Sequence, residues 1–183
     1  MLFATYAIAD TDGFPGSSAP SGAEPNGTYI NINGGFATQQ FMPTGYFAAT
    51  ANAGYNFNPG FALEGGYALL QGSQFGSTVS NSIFDMAAKG TIHLSDIFSL
   101  YGRLGAGVDF VGWSGTANNG TPSWFCQNNT GTDWVWLAGV GGSFRLSEHF
   151  DLHLEDTLYI PQAMTGLTVG QTNLTLFGGQ YNF

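Results

Sequence analysis

The sequence predicts an all-β protein: an eight-stranded antiparallel up-and-down β-barrel that crosses a membrane with its strands. Three observations carry that reading. The first is alternation. Counting back from Phe183, the residues Tyr181, Gly179, Phe177 and Thr175 share one face and Asn182, Gln180 and Gly178 the other, the period of two that a strand imposes on its side chains. The second is composition: charged residues make up 8% of the 183 residues and Gly numbers 28, so the charged surface of a soluble domain is missing. Mean hydropathy is nonetheless only +0.02, and no apolar run approaches the roughly 18–20 residues that a spanning helix needs. Strands with one wet and one greasy face reconcile these facts, because they average to neutral hydropathy. The third is the rhythm of turns. Short ones at Asn58, Ser95 and Ser147 alternate with longer links at Gln40–Gly45, Gly72–Ser82, Gly112–Asp133 and Pro161–Gly170, as a barrel with short periplasmic turns and longer external loops requires. Eight strands of about ten residues each, plus turns, fit the length.

Taken in order, residues 1–9 end in Ala7-Ile8-Ala9 before Asp10, the small-x-small form of a signal-peptidase site, though without a charged start. They are either a signal-peptide remnant or an ordinary apolar N-terminus. Residues 10–26 carry Pro, Gly, Ser and acids without periodicity and read as a mobile leader. The barrel is expected over residues 27–183. Thr28–Ala37 alternates Ile30, Ile32 and Phe36 against Tyr29, Asn31 and Asn33, and Tyr46–Phe57 completes the first hairpin. Asn58-Pro59-Gly60 is a tight turn, since Pro presets its φ and Gly accepts what other residues cannot. Phe61–Leu70 follows, with Phe61, Leu63, Tyr67 and Leu69 opposed to Ala62, Glu64, Gly66 and Ala68. The fourth and fifth strands surround Ala88-Lys89-Gly90 and Tyr101–Gly105. The sixth, Trp134–Phe144, and the seventh, Leu152–Tyr159, are joined by Ser147-Glu148-His149, and Gln171–Phe183 closes the barrel.

A chain that stops on an aromatic strand, with Phe183 last and Tyr181 two before it, resembles the C-terminal signature of bacterial outer-membrane β-barrels. Asn58-Pro59, Glu64 and Gly66-Tyr67 resemble the second hairpin of the OmpA-like and related small barrels. Ala88-Lys89-Gly90, Leu94-Ser95-Asp96 and Tyr101-Gly102-Arg103-Leu104-Gly105 are similar to that family's next hairpin. The resemblance implies an integral, porin-like protein of the Gram-negative outer membrane, a monomer partnered by outer-membrane lipid. It also implies that the barrel-assembly machinery reads Tyr181 and Phe183 during biogenesis.

Strand parity puts Glu64, Lys89, Arg103 and Glu155 on lumen faces. Each lies five to seven residues from its short turn, so they converge about 15 Å above the lower rim. Asp85, Asp109 and His153 are expected within a layer or two. A narrow, low-dielectric lumen makes an unpaired charge costly, and the structural reading is a satisfied polar core that neutralising Lys89 would destabilise. The sharper reading is a gate, in which partner exchange among Glu64, Lys89 and Arg103 opens a thin water path. OmpA-like barrels are thought to contain such a rearranging cluster. His153 stands near a position where that family often carries Arg, so switching here would depend on pH. Asp156 falls on the lipid-facing parity, either near the outer interface or beside a bulge.

The formal net charge is −9, with Lys89, Arg103 and Arg145 the chain's Lys and Arg residues. No nucleic acid partner is expected, because there is no basic patch to release counterions. Strong docking to lipopolysaccharide phosphates is not expected either. His93, His149 and His153 are scattered and Cys126 is alone, so neither a metal centre nor an internal disulfide is expected. No cofactor is implied. Catalysis needs a nucleophile, a base and an orienting acid in reach; the lipid A deacylase pattern of His followed two residues later by Ser is absent, since position 155 is Glu. The Trp113–Asp133 stretch, with Trp113, Trp124 and Phe125 among Asn and Gly, suits recognition of a surface ligand or protein, although loop aromatics also pack on a barrel rim. The expected role is structural or surface interaction, with at most a narrow gated pore. OmpW-like transport of a small apolar molecule is the rival; an apolar lumen pocket would favour it, whereas the lumen face is expected to be Asn, Gln, Gly and charge. A soluble ligand-binding barrel comes third.

Overall fold

The structure, a computed structural model, describes residues 27–40, 42–74, 77–115, 129–162 and 170–183. Eight strands follow one another: β1 (Gly27–Gln39), β2 (Met42–Asn58), β3 (Phe61–Gln74), β4 (Ser77–His93), β5 (Phe98–Gly115), β6 (Asn129–Arg145), β7 (Phe150–Gln162) and β8 (Thr172–Asn182). Each pairs with its sequence neighbour, and β1 pairs antiparallel with β8 to close the barrel. Closure leaves no open edge, the condition for strands to cross a hydrocarbon layer. The predicted fold class is borne out.

Three short turns gather at one end, and each is tied by the polar side chain that opens it. Gly60 N–H donates to Asn58 Oδ1 at 2.9 Å, Phe98 N–H to Ser95 Oγ at 3.0 Å, and His149 N–H to Ser147 Oγ at 3.4 Å. Such local bonds let a side chain mimic a turn of backbone. They define the short-turn end; the other is the link end.

Outside, Ile32, Phe36, Leu104 and Val140 are among the most exposed side chains. Phe57, Phe61, Phe144, Phe150, Tyr181 and Phe183 ring the short-turn end, while Phe47, Phe84, Phe110, Trp134 and Trp136 ring the outer wall toward the link end. Two aromatic girdles around an apolar band are the outer face of a transmembrane barrel.

Two expectations are corrected. The strands reach into what the sequence suggested were long links: β3 runs to Gln74 and β4 begins at Ser77, β5 runs to Gly115, β6 begins at Asn129, β2 at Met42, and β7 continues to Gln162. Beyond the lipid band both faces of a strand are free to be polar, so alternation fades while the backbone ladder goes on. The second correction concerns the lumen, which is not uniformly polar. Its half toward the link end is packed with buried Ala37, Ala48, Leu70, Ile83, Val111, Val135, Leu137 and Leu174, because a lumen this narrow packs as a core.

Candidate functional site

The lumen layer in the half toward the short turns is built from two matching triplets. Tyr29, Gly54 and Glu64 stand in register across β1, β2 and β3, and Tyr101, Gly141 and Glu155 across β5, β6 and β7. The glycines are required by the rings beside them: a Cβ on Gly54 would collide with the Tyr29 ring, and one on Gly141 with the Tyr101 ring. Each Tyr hydroxyl then donates to the glutamate one strand further on, Tyr29 to Glu64 Oε1 at 2.6 Å and Tyr101 to Glu155 Oε2 at 2.9 Å.

Two cations join the triplets. Arg103 places Nε 2.7 Å from Glu64 Oε2, and its Nη1 donates to Glu155 Oε1. A planar fork that reaches two carboxylates at once is the geometry a guanidinium supplies and an ammonium does not. Lys89 Nζ lies 3.5 Å from Glu64 Oε1, with ring centroids of Tyr29 and Tyr101 at 4.9 and 4.6 Å. The ammonium is clasped between two π faces and donates across the lumen to Gln180 Oε1 on β8 at 3.2 Å. Glu64, Lys89, Arg103 and Glu155 are all buried.

The remaining acids extend this network toward both ends. Asp85 Oδ1 is 3.8 Å from Arg103 Nη2, and its Oδ2 accepts from the Tyr159 hydroxyl at 2.8 Å. Thr157 Oγ1 donates to Glu155 at 2.6 Å, and His153 Nδ1 lies 3.3 Å from the Tyr101 oxygen. At the short-turn rim Arg145 Nε approaches Asp151 Oδ1 at 3.6 Å, and Asn182 Nδ2 donates to the other Asp151 oxygen at 2.9 Å.

The structure therefore brings Glu64, Lys89, Arg103, Glu155 and Asp85 together and sets His153 against Tyr101. Asp109 stands apart, toward the link end, where it meets Asn81 Nδ2 at 3.5 Å and lies opposite Asp133 in the ladder. Sequence reasoning placed Tyr29 and Gln180 on the polar faces of their strands without giving them a part in the cluster, and it did not assign Tyr101, Tyr159 or Asp133 to this interior. Tyr29 and Gln180 share strand parity with asparagines, and that was the available signal.

Asp156 is on the outer wall, and neither the rim nor a bulge accounts for it. The β7 ladder is unbroken on both sides, and Asp156 is four residues from Leu152, which faces Phe144, and four from Ile160, which faces Trp136. It lies midway between the girdles, and Thr175 Oγ1 donates to it at 3.0 Å.

Tyr181 and Phe183 point outward with ring centroids 5.2 Å apart, and Tyr181 also stacks on His149 at 6.0 Å. Trp113 falls in β5 opposite Val79 and Asn129. Trp124, Phe125 and Cys126 lie outside the described residues, as do residues 1–26.

Among solved structures, Neisserial surface protein A is similar with a TM-score of 0.64 at 13% identity, over 85% of this chain and 96% of that one. Ail, the attachment invasion locus protein of Yersinia pestis, solved with the heparin analogue sucrose octasulfate, gives 0.56 at 17% identity over 85% and 96%. The N-terminal β-barrel domain of Pseudomonas aeruginosa OprF gives 0.55 at 10% identity over 87% and 100%. At these identities the likeness is one of fold. No curated protein sequence matches the chain significantly. A family model described as "Outer membrane protein beta-barrel domain" matches residues 2–180. With its closed eight-stranded wall and paired aromatic girdles, the chain belongs to the outer membrane protein β-barrel domain family and is an integral protein of the bacterial outer membrane.

Proposed function

We propose that this barrel is a sealed membrane anchor whose working surface is its link end, where it meets a surface partner. The observation that carries the reading is the lumen: an ionic layer locked by Arg103 and Lys89 lies under a packed apolar one. Water has no ready path through either. The segments between strands at the link end supply what is left for function, and residues 116–128 and 163–169 carry no charged side chain. Uncharged segments with Trp124 and Phe125 favour a neutral partner, recognised by ring stacking and amide hydrogen bonds, over a sulfated one such as Ail's ligand. Tyr181 and Phe183 would serve assembly, in line with the terminal strand's likeness to outer-membrane barrels.

The apolar upper lumen supports a second reading, transport of small apolar molecules. Its side chains are in mutual contact, so passage would require them to part. A narrow gated pore needs the same of the ionic layer. Planar bilayer recordings of the refolded protein separate these readings. The expected result is no discrete openings from wild type shown to be inserted, and no passage of an apolar dye into proteoliposomes. Openings whose conductance changes in Glu64→Ala would make the protein a minor pore instead.

A further inference from the structure

Asp156 departs from the apolar pattern of the wall around it. It is exposed in the middle of the lipid band, and Thr175 Oγ1 supplies one hydrogen bond to its Oδ2 at 3.0 Å. An ionisable group at that depth is costly, and such groups ordinarily face a partner. The chain offers it no base. Lys89 and Arg103 are held in the lumen by Glu64, Glu155 and Asp85, Arg145 pairs with Asp151 at the short-turn rim, and His153 lies in the lumen against Tyr101. His93 ends β4 at the short-turn end and His149 lies in the last short turn. The segments outside the described residues contain no Lys, Arg or His.

The acid also borders a groove. On the outer wall from β3 to β7, Phe61, Gly90, Gly102, Ala138 and Leu158 line a depression of about 630 Å³, with Asp156 at its β7 end. Its floor is low because the residues there are small: a Cβ added to Gly90 would meet nothing within 4 Å. The volume is that of a site for one small molecule. A second depression, about 380 Å³ over Ile32, Ala51, Ala53 and Gly65, is lined by no acid or base. The acid therefore distinguishes the larger groove from an ordinary dent in a barrel wall.

We propose that this groove binds a lipophilic amine from the bilayer, with the amino group on Asp156 and the apolar body over Gly90, Gly102 and Ala138. Carboxyl and amine complement each other whichever holds the proton: a carboxylate accepts from an ammonium, and a carboxylic acid donates to a neutral amine. The hydrocarbon around them strengthens the pair. A plain acyl chain would fill the groove and leave the acid unanswered. A second copy inserts with the same orientation, so it would bring another acid to that depth, with its own bases engaged as they are here. The amine is the occupant that relieves the cost, and a residue that breaks the rule of its surroundings is expected where function requires it.

The test places the full, refolded chain in phosphatidylcholine vesicles, whose headgroup has no primary amine, and measures binding of radiolabelled dodecylamine against protein-free vesicles. The expected result is a single saturable site per barrel, for which dodecanol competes about ten-fold less well or worse. Asp156→Asn, which keeps the shape and an acceptor for Thr175, should weaken dodecylamine by the same factor. Ala138→Phe, which fills the groove and leaves the acid, should abolish the site. Both changes are on the outer wall, and cooperative thermal unfolding verifies that each variant is folded. Binding no greater than that of protein-free vesicles overturns the proposal, as does a site unchanged in Asp156→Asn, which would put the amine on another acid. Equal competition by dodecanol would make the groove an acyl-chain site and overturn it too. So would an Asp156-dependent association of barrels, read by energy transfer between labelled copies, that dodecylamine does not disperse, since that would give this face to a second copy.

Discussion

The two halves of the lumen share one wall and one strand parity, yet they are closed by opposite chemistry. Toward the short turns, charged and hydroxyl groups from β1, β3, β4, β5, β7 and β8 meet in a single network centred on Arg103 and Lys89. Toward the link end, aliphatic side chains from the same strands fill most of the space, with Asn81, Asp109 and Asp133 buried among them. A polar network demands fixed partners at fixed angles, whereas an apolar layer demands only volume. The difference teaches where this barrel should be intolerant of change and where it should yield.

The contrast predicts the largest effect at Arg103. Arg103→Met would leave Glu64, Glu155 and Asp85 facing one another with Lys89 alone, and one stranded buried partner costs about 3–5 kcal/mol. Urea unfolding of the detergent-folded protein should show that loss. Arg103→Lys should recover little of it, because a single ammonium cannot fork between Glu64 and Glu155. Lys89→Met should cost less, since Glu64 keeps Arg103 and the Tyr29 hydroxyl. Wild-type stability in Lys89→Met and Arg103→Met would show that the ionic layer is not what holds this half.

In the apolar half, Leu70→Ala should cost about 2–4 kcal/mol through lost burial and the cavity left behind. The sharper comparison is Leu70→Met, which preserves volume and should cost less than about 1.5 kcal/mol. If Leu70→Met were as damaging as Arg103→Lys, the two halves would not differ in tolerance and the contrast would collapse.

Much of this architecture was legible because a strand's parity is rigid. Once Glu64, Lys89, Arg103 and Glu155 were assigned to the inner face, their common distance from the short turns placed them in one layer. The upper layer was not legible, because its strands are apolar on both faces. In Ala68-Leu69-Leu70 and Val135-Trp136-Leu137 parity still assigns the faces, Ala68 falling with Glu64, but composition no longer marks the inner one, so a lumen of Asn, Gln, Gly and charge was expected where the packing is aliphatic. Asp133 was hidden for a related reason: it follows a run of Asn, Thr and Gly whose composition reads as loop although the backbone ladder has resumed. The role of the tyrosines was missed although Tyr29 falls on the polar parity of its strand, because what Tyr29 and Tyr101 do depends on lying over Gly54 and Gly141 of the neighbouring strands. That pairing across strands only the register reveals.

The smallest effect is expected on the outer wall, at Asp156, which tests whether the lumen's rules stop at the barrel surface. Midway between the girdles, an acid faces hydrocarbon at the depth where its penalty is greatest, though acids are penalised less than the about 2–4 kcal/mol of a basic residue. Thr175 Oγ1 offsets part of that cost by donating a hydrogen bond. Asp156→Leu should therefore stabilise the folded protein in lipid vesicles, by less than about 2 kcal/mol. Thr175→Val alone should destabilise it by about 1 kcal/mol, since the carboxyl loses its donor. Thr175→Val in the Asp156→Leu background should be neutral. That non-additivity is the measurement that isolates the pair. A destabilised Asp156→Leu would mean that the carboxyl supports the wall as Glu155 supports the lumen, and that polar specification extends through the strand to both of its faces.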